Sequence, residues 1–472
     1  MNNLFSAMTT KDIFTENGMP TNSSSGSFLV DLFYRMGSTR TGLGWDRNTE
    51  KMDTELIRLF NGSFSENPFL TIKALFYNRD VRGGQQERRS FRIMFQRLCY
   101  LSPETAKRNL ENVPFYGRWD DLLVCLGTPV EESALDLILY SLKKGDRLCA
   151  KWMPRENKSL GIIARYLAKK WNLSPKNYRL LLSGNTQVVE NLMCKNEWGE
   201  IIYKSVPTKA LFKYRRAFGK HDEERWLQYI ADLKSGKITR NAEVMFPHEI
   251  VEQVFLNSDL ELMLELWKGL PNYLETEDQF LPICDVSGSM DGLPMMVCIS
   301  LGIYLSERNK SIFKDGFITF SKNPELQILN GDLISRIQQL RIAEWGMNTD
   351  LEKVFLLILE NARKANLKES DMPKYLIILS DMQFDQATRS NQTALKMIKD
   401  KYRTYGYEIP KIVFWNLRNS EGVPVKKDKS GAVLISGFSP SIMKYLFKNP
   451  EKFSPASLVE EVLLSERYER VR

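Results

Sequence analysis

Residues 280–290 read FLPICDVSGSM, and they decide the fold of the second half of the chain. An apolar run, Phe280 to Cys284, ends in an acid, Asp285, and hydroxyls follow at alternate positions, Ser287 and Ser289. A tight turn and a helix-like run, LPMMVCISLGIYLSERN, come next. A buried strand that opens into an oxygen-bearing loop and then a helix is how an α/β sheet presents a site at its carboxyl edge. Asp-x-Ser-x-Ser is an all-oxygen set, which suits a hard cation such as Mg²⁺.

The residues that follow repeat this texture. Strand-like DGFITFS, LQIL, YLIILSDMQF, KIVFWNLR and AVLISGF are separated by helix-like DLISRIQQLR, LEKVFLLILENARKANL, TALKMIKDKYRTYG and PSIMKYLFK. Such alternation predicts a doubly wound, Rossmann-like sheet over residues 273–472, with helices on both faces. Thr349, in GMNTD, and Asp381, ending YLIILSD, fall on strand-to-helix connections at the same edge as Asp285. Five oxygen side chains converge there: Asp285, Ser287, Ser289, Thr349 and Asp381. The acids supply negative charge, and the hydroxyls supply neutral oxygens. Mg²⁺, or another divalent cation, keeps waters in its shell and leaves a position for an outside ligand. A carboxylate from a protein partner can fill it.

Upstream the pattern is helical. Residues 1–26, ending TNSSSG, are polar and predict a flexible lead-in. From 27 to 272 apolar residues recur at three and four, as in SFLVDLFYRMG and DTELIRLFNGSF, each closed at a glycine. Helices of about ten to fifteen residues joined by short turns predict an antiparallel stack, with a HEAT-like solenoid as one possible form. Ser102 and Pro103 mark one helix start.

Charge is concentrated in this half. The chain carries +8, but residues 151–240 alone hold 19 basic against 8 acidic side chains, a local +11. Lys209, Lys213, Arg216 and Lys220 recur at four, three and four residues and form one helical stripe, while Leu211, Tyr214 and Phe218 occupy another face. SLGIIARYLAKKW sets Leu160, Ile163, Leu167 and Trp171 against Arg165 and Lys169, with Arg155 and Lys158 just before it. RGGQQERR adds Arg82, Arg88 and Arg89. Such faces can track a phosphate backbone, and the alternative reading is a solvated, soluble surface. Phe115, Tyr116 and Trp119 can stack on bases, although packing between helices is the default use of such residues.

Composition closes other routes. Six widely spaced cysteines without a CxxC, and only two histidines, argue against a zinc site and a disulfide framework. No signal-peptide pattern opens the chain, and no apolar run is long enough to span a bilayer, so no membrane association is expected. A reducing interior compartment, the cytoplasm, fits this composition. A Ser/His/Asp set, a P-loop and a nucleotide fingerprint are all missing, so the chain does not read as an enzyme.

Asp285-x-Ser287-x-Ser289 with Thr349 and Asp381 resembles the metal-ion-dependent adhesion site of von Willebrand factor A domains, and all five positions match. RDVRGGQQERRSF, PFYGRWDDLL, AKWMPREN, VPTKALFKYRRAFGKHDEERW, IVFWNLR and LISGFSP look like a family of uncharacterised proteins with a von Willebrand-type tail, known from plants and large DNA viruses. More distantly, a helical module followed by such a domain, with a GRW-type motif, is similar to TROVE-type Ro ribonucleoproteins. That resemblance implies a ring of HEAT-like repeats that binds structured RNA. The expectation is a non-enzymatic RNA-binding protein that also holds a divalent cation. The alternative is a scaffold whose metal captures an acidic residue of a protein partner.

Overall fold

A computed structural model describes residues 13–37, 49–186, 188–274, 276–320, 324–342, 350–384, 394–418 and 422–472. In chain order a helical region, from Phe28 to Lys268, is followed by a mostly parallel six-stranded sheet with helices. The chain divides into two compact units: Met1–Ala74 with Phe246–Ser465, and Leu75–Met245 with Glu466–Arg472.

The first unit is built on the sheet. A small ribbon, β1 (Ile13–Phe14) and β2 (Pro20–Thr21), precedes β3 (Phe280–Cys284), β4 (Gly316–Thr319), β5 (Leu326–Ile328), β6 (Tyr375–Ser380), β7 (Lys411–Asn416) and β8 (Ala432–Ser436). The order is β5-β4-β3-β6-β7-β8, and every pair is parallel except β4 with β5. Every residue of β3 and of β6 is buried. Successive side chains point to opposite faces, so both faces of these strands are covered, which is why they are apolar without alternation. At the edge, β5 leaves Leu326 and Ile328 exposed. The helix Leu293–Arg308 lies against β3, β4 and β6 on one side and against the helix Pro247–Phe255 on another, so it is apolar almost all round. Gly302 lets it approach β3, because Cys284 Sγ occupies the place of a side chain there.

Residues 13–26 are tied down rather than free as lead-in. Thr15 Oγ1 donates to the Phe384 carbonyl at 2.7 Å, Asn17 Nδ2 to the Gln383 carbonyl at 2.7 Å, and Asn22 N to the Val423 carbonyl at 3.1 Å. Polar side chains that looked like solvated linker are instead spent on loop carbonyls; residues 1–12 lie outside the described set. The helix Phe28–Arg35 starts at Ser27, whose hydroxyl accepts from Val30 N. The helix Thr49–Glu66 runs on through Gly62, where the sequence pattern closes it, because the Phe28 ring fills the position of a Cβ at that glycine.

The second unit is helical. Several of its elements are shorter than the periodicity suggests: Pro103–Arg108 has six residues, and Trp119–Cys125 is a 3₁₀ helix. Its aromatic centre joins Phe76, Phe91, Phe95 and Tyr116. Residues 466–472 complete it, although their position in sequence assigns them to the α/β half. Tyr468 stacks on Tyr116 with ring centroids 5.5 Å apart, and its hydroxyl donates to Asp80 Oδ2 at 3.0 Å. Arg467 pairs with the same buried Asp80, and Arg470 Nε donates to Asn112 Oδ1 at 2.6 Å.

Tyr468 is fully buried. Tyr468→Ala is therefore expected to cost about 3–5 kcal/mol, whereas Tyr468→Phe, which loses one hydrogen bond, should cost about 1–3 kcal/mol. Urea unfolding of the full chain checks this; equal midpoints for the alanine variant and the parent would contradict the packing described.

Candidate functional site

The chain leaves β3 for β4 and β5, then returns to β6 on the opposite side of β3 and continues to β7 and β8. The switch in direction lies between β3 and β6, and the crevice beyond the carboxyl ends of such strands is where open α/β sheets bind ligands. Asp285 follows β3 and Asp381 follows β6. Cys284 is in register with Leu379, and Asp285 N donates to the Leu379 carbonyl at 2.9 Å, so the two acids emerge side by side.

Asp285 is wholly buried. Its Oδ1 accepts from Ser287 N at 3.0 Å and its Oδ2 from Ser380 Oγ at 2.5 Å. The Ser287 and Ser289 hydroxyls are 3.0 Å apart, and Arg418 Nη1 donates to the Ser289 carbonyl. Asp381, 1% exposed, accepts from Gln383 N at 3.1 Å. Burial, with the Asp381 charge adding, pushes the Asp285 carboxyl up to about 6. Among the described residues neither acid has an ion pair with a basic side chain. Two uncompensated carboxylates, with serine hydroxyls beside them, fit the donor chemistry of a hard divalent cation. Among the described residues no group of three His, Cys, Asp or Glu could hold a metal, so any ion here would rely on the hydroxyls and water. Thr349 lies outside the described residues.

Three neighbours carried no signal in the sequence. Ser380 reads as the last residue of an apolar strand, yet it is the hydrogen-bond partner of Asp285. Asn416, which ends β7 opposite Ser380, has a buried Nδ2 without a hydrogen-bond partner among the described residues. Tyr34, on the helix Phe28–Arg35, is also buried, its hydroxyl without a hydrogen-bond partner among the described residues, and burial followed by the charge of nearby Asp381 holds its phenol far above the ordinary value. Its helix is fixed at the β8 end, where Ser436 Oγ donates to the Phe33 carbonyl at 3.1 Å.

The basic residues singled out in the sequence separate into two groups. Arg82, Lys158, Arg165, Lys169, Lys213 and Lys220 are exposed, and among the described residues no acid pairs with their side chains. Arg216 is exposed, whereas Lys209 and Arg89 are half-buried. Arg155 turns inward and donates from Nη2 to the Ala150 carbonyl and Thr186 Oγ1, both at 3.1 Å. Arg88 pairs with Asp120 at 2.6 Å. Leu160, expected in the core, is 46% exposed because it caps the helix Gly161–Lys170 rather than belonging to it. Tyr116 packs internally, and Phe115 sits beneath the Arg470 guanidinium at 3.9 Å.

Two family models match the chain. Residues 15–138 and 162–268 match a domain of unknown function (DUF2828), and residues 279–469 match another, DUF7788. Neither is described as a TROVE or a von Willebrand factor model. The uncharacterized protein L728 of Acanthamoeba polyphaga mimivirus is 31% identical over 508 residues, spanning 95% of this chain and 87% of that protein. The chain belongs to the same family as that viral protein.

The raised pKa of Asp285 makes the metal-free fold sensitive to pH. Its folded value, about 6, lies above its ordinary 3.8, so the metal-free fold holds the proton more tightly than the unfolded chain. Stability is unimpaired below the ordinary value, falls as pH rises between the two, and is lower by roughly 3 kcal/mol above the folded value. Melting in EDTA at pH 4.5 and pH 7.5 should show the loss for the parent and not for Asp285→Asn. Equal pH dependence in both proteins would rule out Asp285 as its source.

Proposed function

We propose that the protein is a non-enzymatic RNA-binding protein whose helical unit, a HEAT-like array, holds the phosphate backbone, and whose α/β unit binds Mg²⁺ or another divalent cation. The observation that carries the RNA reading is the set of exposed cations Arg82, Lys158, Arg165, Lys169, Lys213 and Lys220, with which no acid among the described residues pairs. Neighbouring Lys170 shows the contrast: its ammonium is matched by Glu131 at 3.0 Å and Glu132 at 2.6 Å. Cations without an acid partner are released for a polyanion, and each phosphate they neutralise adds salt-sensitive affinity. The likeness to TROVE-type Ro ribonucleoproteins supports the same reading.

A second reading rests on the other unit. The buried pair Asp285 and Asp381, at a topological switch point and without a basic partner among the described residues, supports an adhesion-type metal site of the von Willebrand kind. On that reading, Asp285, Ser287, Ser289, Thr349 and Asp381 supply the protein ligands, and a partner protein presents a carboxylate to the ion. A cytoplasmic location suits both readings. Among the described residues no helix is long and apolar enough to cross a membrane.

Filter binding with a structured RNA, titrated in salt, tests the first reading. Affinity should fall steeply with salt. The combined change Lys169→Glu, Lys213→Glu and Lys220→Glu should weaken binding at least tenfold and flatten the log–log slope by about one for each phosphate that is no longer neutralised. Salt-independent binding, or binding untouched by the triple change, would refute it. For the second reading, a pulldown from lysate should lose partners in EDTA and with Asp285→Ala alike; partners retained in both would exclude the metal from docking.

A further inference from the structure

We propose that Arg88, Arg92 and Arg118 form an anion site that takes a phosphate group. Arg88 lies in RGGQQERRSF, Arg92 directly follows it, and Arg118 lies in GRWDD; the helical unit brings the two motifs together. The organising group is Asp120. Its Oδ2 accepts from Arg88 Nη2 at 2.6 Å and Arg118 Nη2 at 2.8 Å, and lies 3.0 Å from Arg92 Nη2. Three guanidiniums therefore crowd one carboxylate oxygen. Asp121 holds a fourth, buried Arg79, at 2.7 Å and also binds Arg92 Nε at 2.7 Å. Gly117 is required at the junction, because a Cβ there would lie 2.7 Å from both Arg79 Nε and Asp121 Oδ2.

Four cations face two acids in this cluster, which leaves two positive charges in excess. Arg88 holds its proton less tightly than a free guanidinium, chiefly through burial; the Arg92 and Arg118 charges act in the same direction, and Asp120 and Asp121 oppose them. The donors are also in excess. A guanidinium carries five N–H groups in a fixed fork. Arg88 donates only through Nη2, and Arg92 and Arg118 donate through Nε and Nη2. Among the described residues, Nη1 of all three makes no hydrogen bond. The cluster is open to solvent, with side chains 44%, 27% and 25% exposed for Arg88, Arg92 and Arg118. Arg118 lies over the ring of Trp152 at 3.8 Å, so its fork is held in place before any ligand arrives. A phosphate offers several acceptor oxygens to arginine forks and carries one negative charge in a backbone diester or up to two in a monoester, which fits the surplus of donors and of positive charge.

The inference deepens the RNA reading by giving it a defined phosphate contact, but it does not depend on it. A free phosphate ester and a polynucleotide backbone share the recognised chemistry, and the test separates them. Full-length protein at low ionic strength is melted with and without inorganic pyrophosphate, and pyrophosphate and a uridylate 15-mer are each titrated calorimetrically. Pyrophosphate should raise the melting temperature of the parent, and Arg88→Gln should weaken its binding at least tenfold. Without ligand, Arg88→Gln should melt at or above the parent, because one repelling charge is gone. Arg88→Lys, which keeps the charge and loses the fork, should fall between them.

If the 15-mer also loses affinity in Arg88→Gln, the anion is a backbone phosphate; if only pyrophosphate does, it is a free phosphate ester. Loss of RNA binding by the lysine changes with pyrophosphate binding intact would leave this site standing apart from the lysine surface. No pyrophosphate response in the parent, an undiminished response in Arg88→Gln, or an unliganded Arg88→Gln that is clearly destabilised would overturn the proposal, the last by making the cluster a structural clamp.

Discussion

Two carboxylates held side by side out of water are the constraint on which the α/β unit turns. Asp285 and Asp381 leave adjacent parallel strands at the point where the chain changes direction across the sheet. Burial of one like-charged pair is costly unless a proton or a cation balances it. The surroundings do not remove the problem. Ser380, the Ser287 amide and the Gln383 amide supply hydrogen bonds, while the Arg418 guanidinium goes to a carbonyl rather than to either acid. On the proposed metal reading, a divalent ion would balance this charge with the oxygens at hand and with water or an outside carboxylate.

The helical unit has the opposite electrostatic problem. Its motif loops gather four arginines around Asp120 and Asp121 and leave positive charge in excess. Lys158, Arg165, Lys169, Lys213 and Lys220, elsewhere in the unit, are exposed and have no acid partner among the described residues. Two of the arginines in residues 466–472 are used internally: Arg467 neutralises buried Asp80, and Arg470 binds Asn112. The same residue type thus serves as a structural tie where it meets a buried acid one-to-one, and as an open donor where guanidiniums outnumber carboxylates. Counting charge along the sequence cannot separate these uses.

The alternation of apolar runs with helical patterns placed β3, β4, β6, β7 and β8, because parallel strands buried on both faces are written as continuous apolar segments; β5, an exposed antiparallel edge strand, was legible only as the short run LQIL. The acids could be placed at the sheet's carboxyl edge for the same reason: each directly ends one of the continuous runs. What could not be read was the strand order, hence that Asp285 and Asp381 sit on neighbouring strands, or that Tyr34 would arrive from far away in sequence with a buried, unpartnered hydroxyl. In the helical half, periodicity placed Leu211 and Phe218 inside and Lys213 and Lys220 outside. It failed for Leu160, where a helix boundary overrides the 3.6-residue repeat, and it had nothing to say of Arg155, which lies before the helix and turns inward. The motifs around Arg88 and Arg118 were visible as strings of arginine and glycine, but their meaning lies in a convergence on Asp120 that only tertiary structure supplies.

Diffraction from crystals of the full-length protein soaked in Mn²⁺, recorded for anomalous signal, tests the central claim most directly. One strong peak is expected beyond the ends of β3 and β6, within coordination distance of Ser287 and Ser289 hydroxyls and reached by Asp285 and Asp381 directly or through water, and it should vanish in Asp285→Asn. A map without density there, with manganese found only at exposed surface carboxylates, would contradict it.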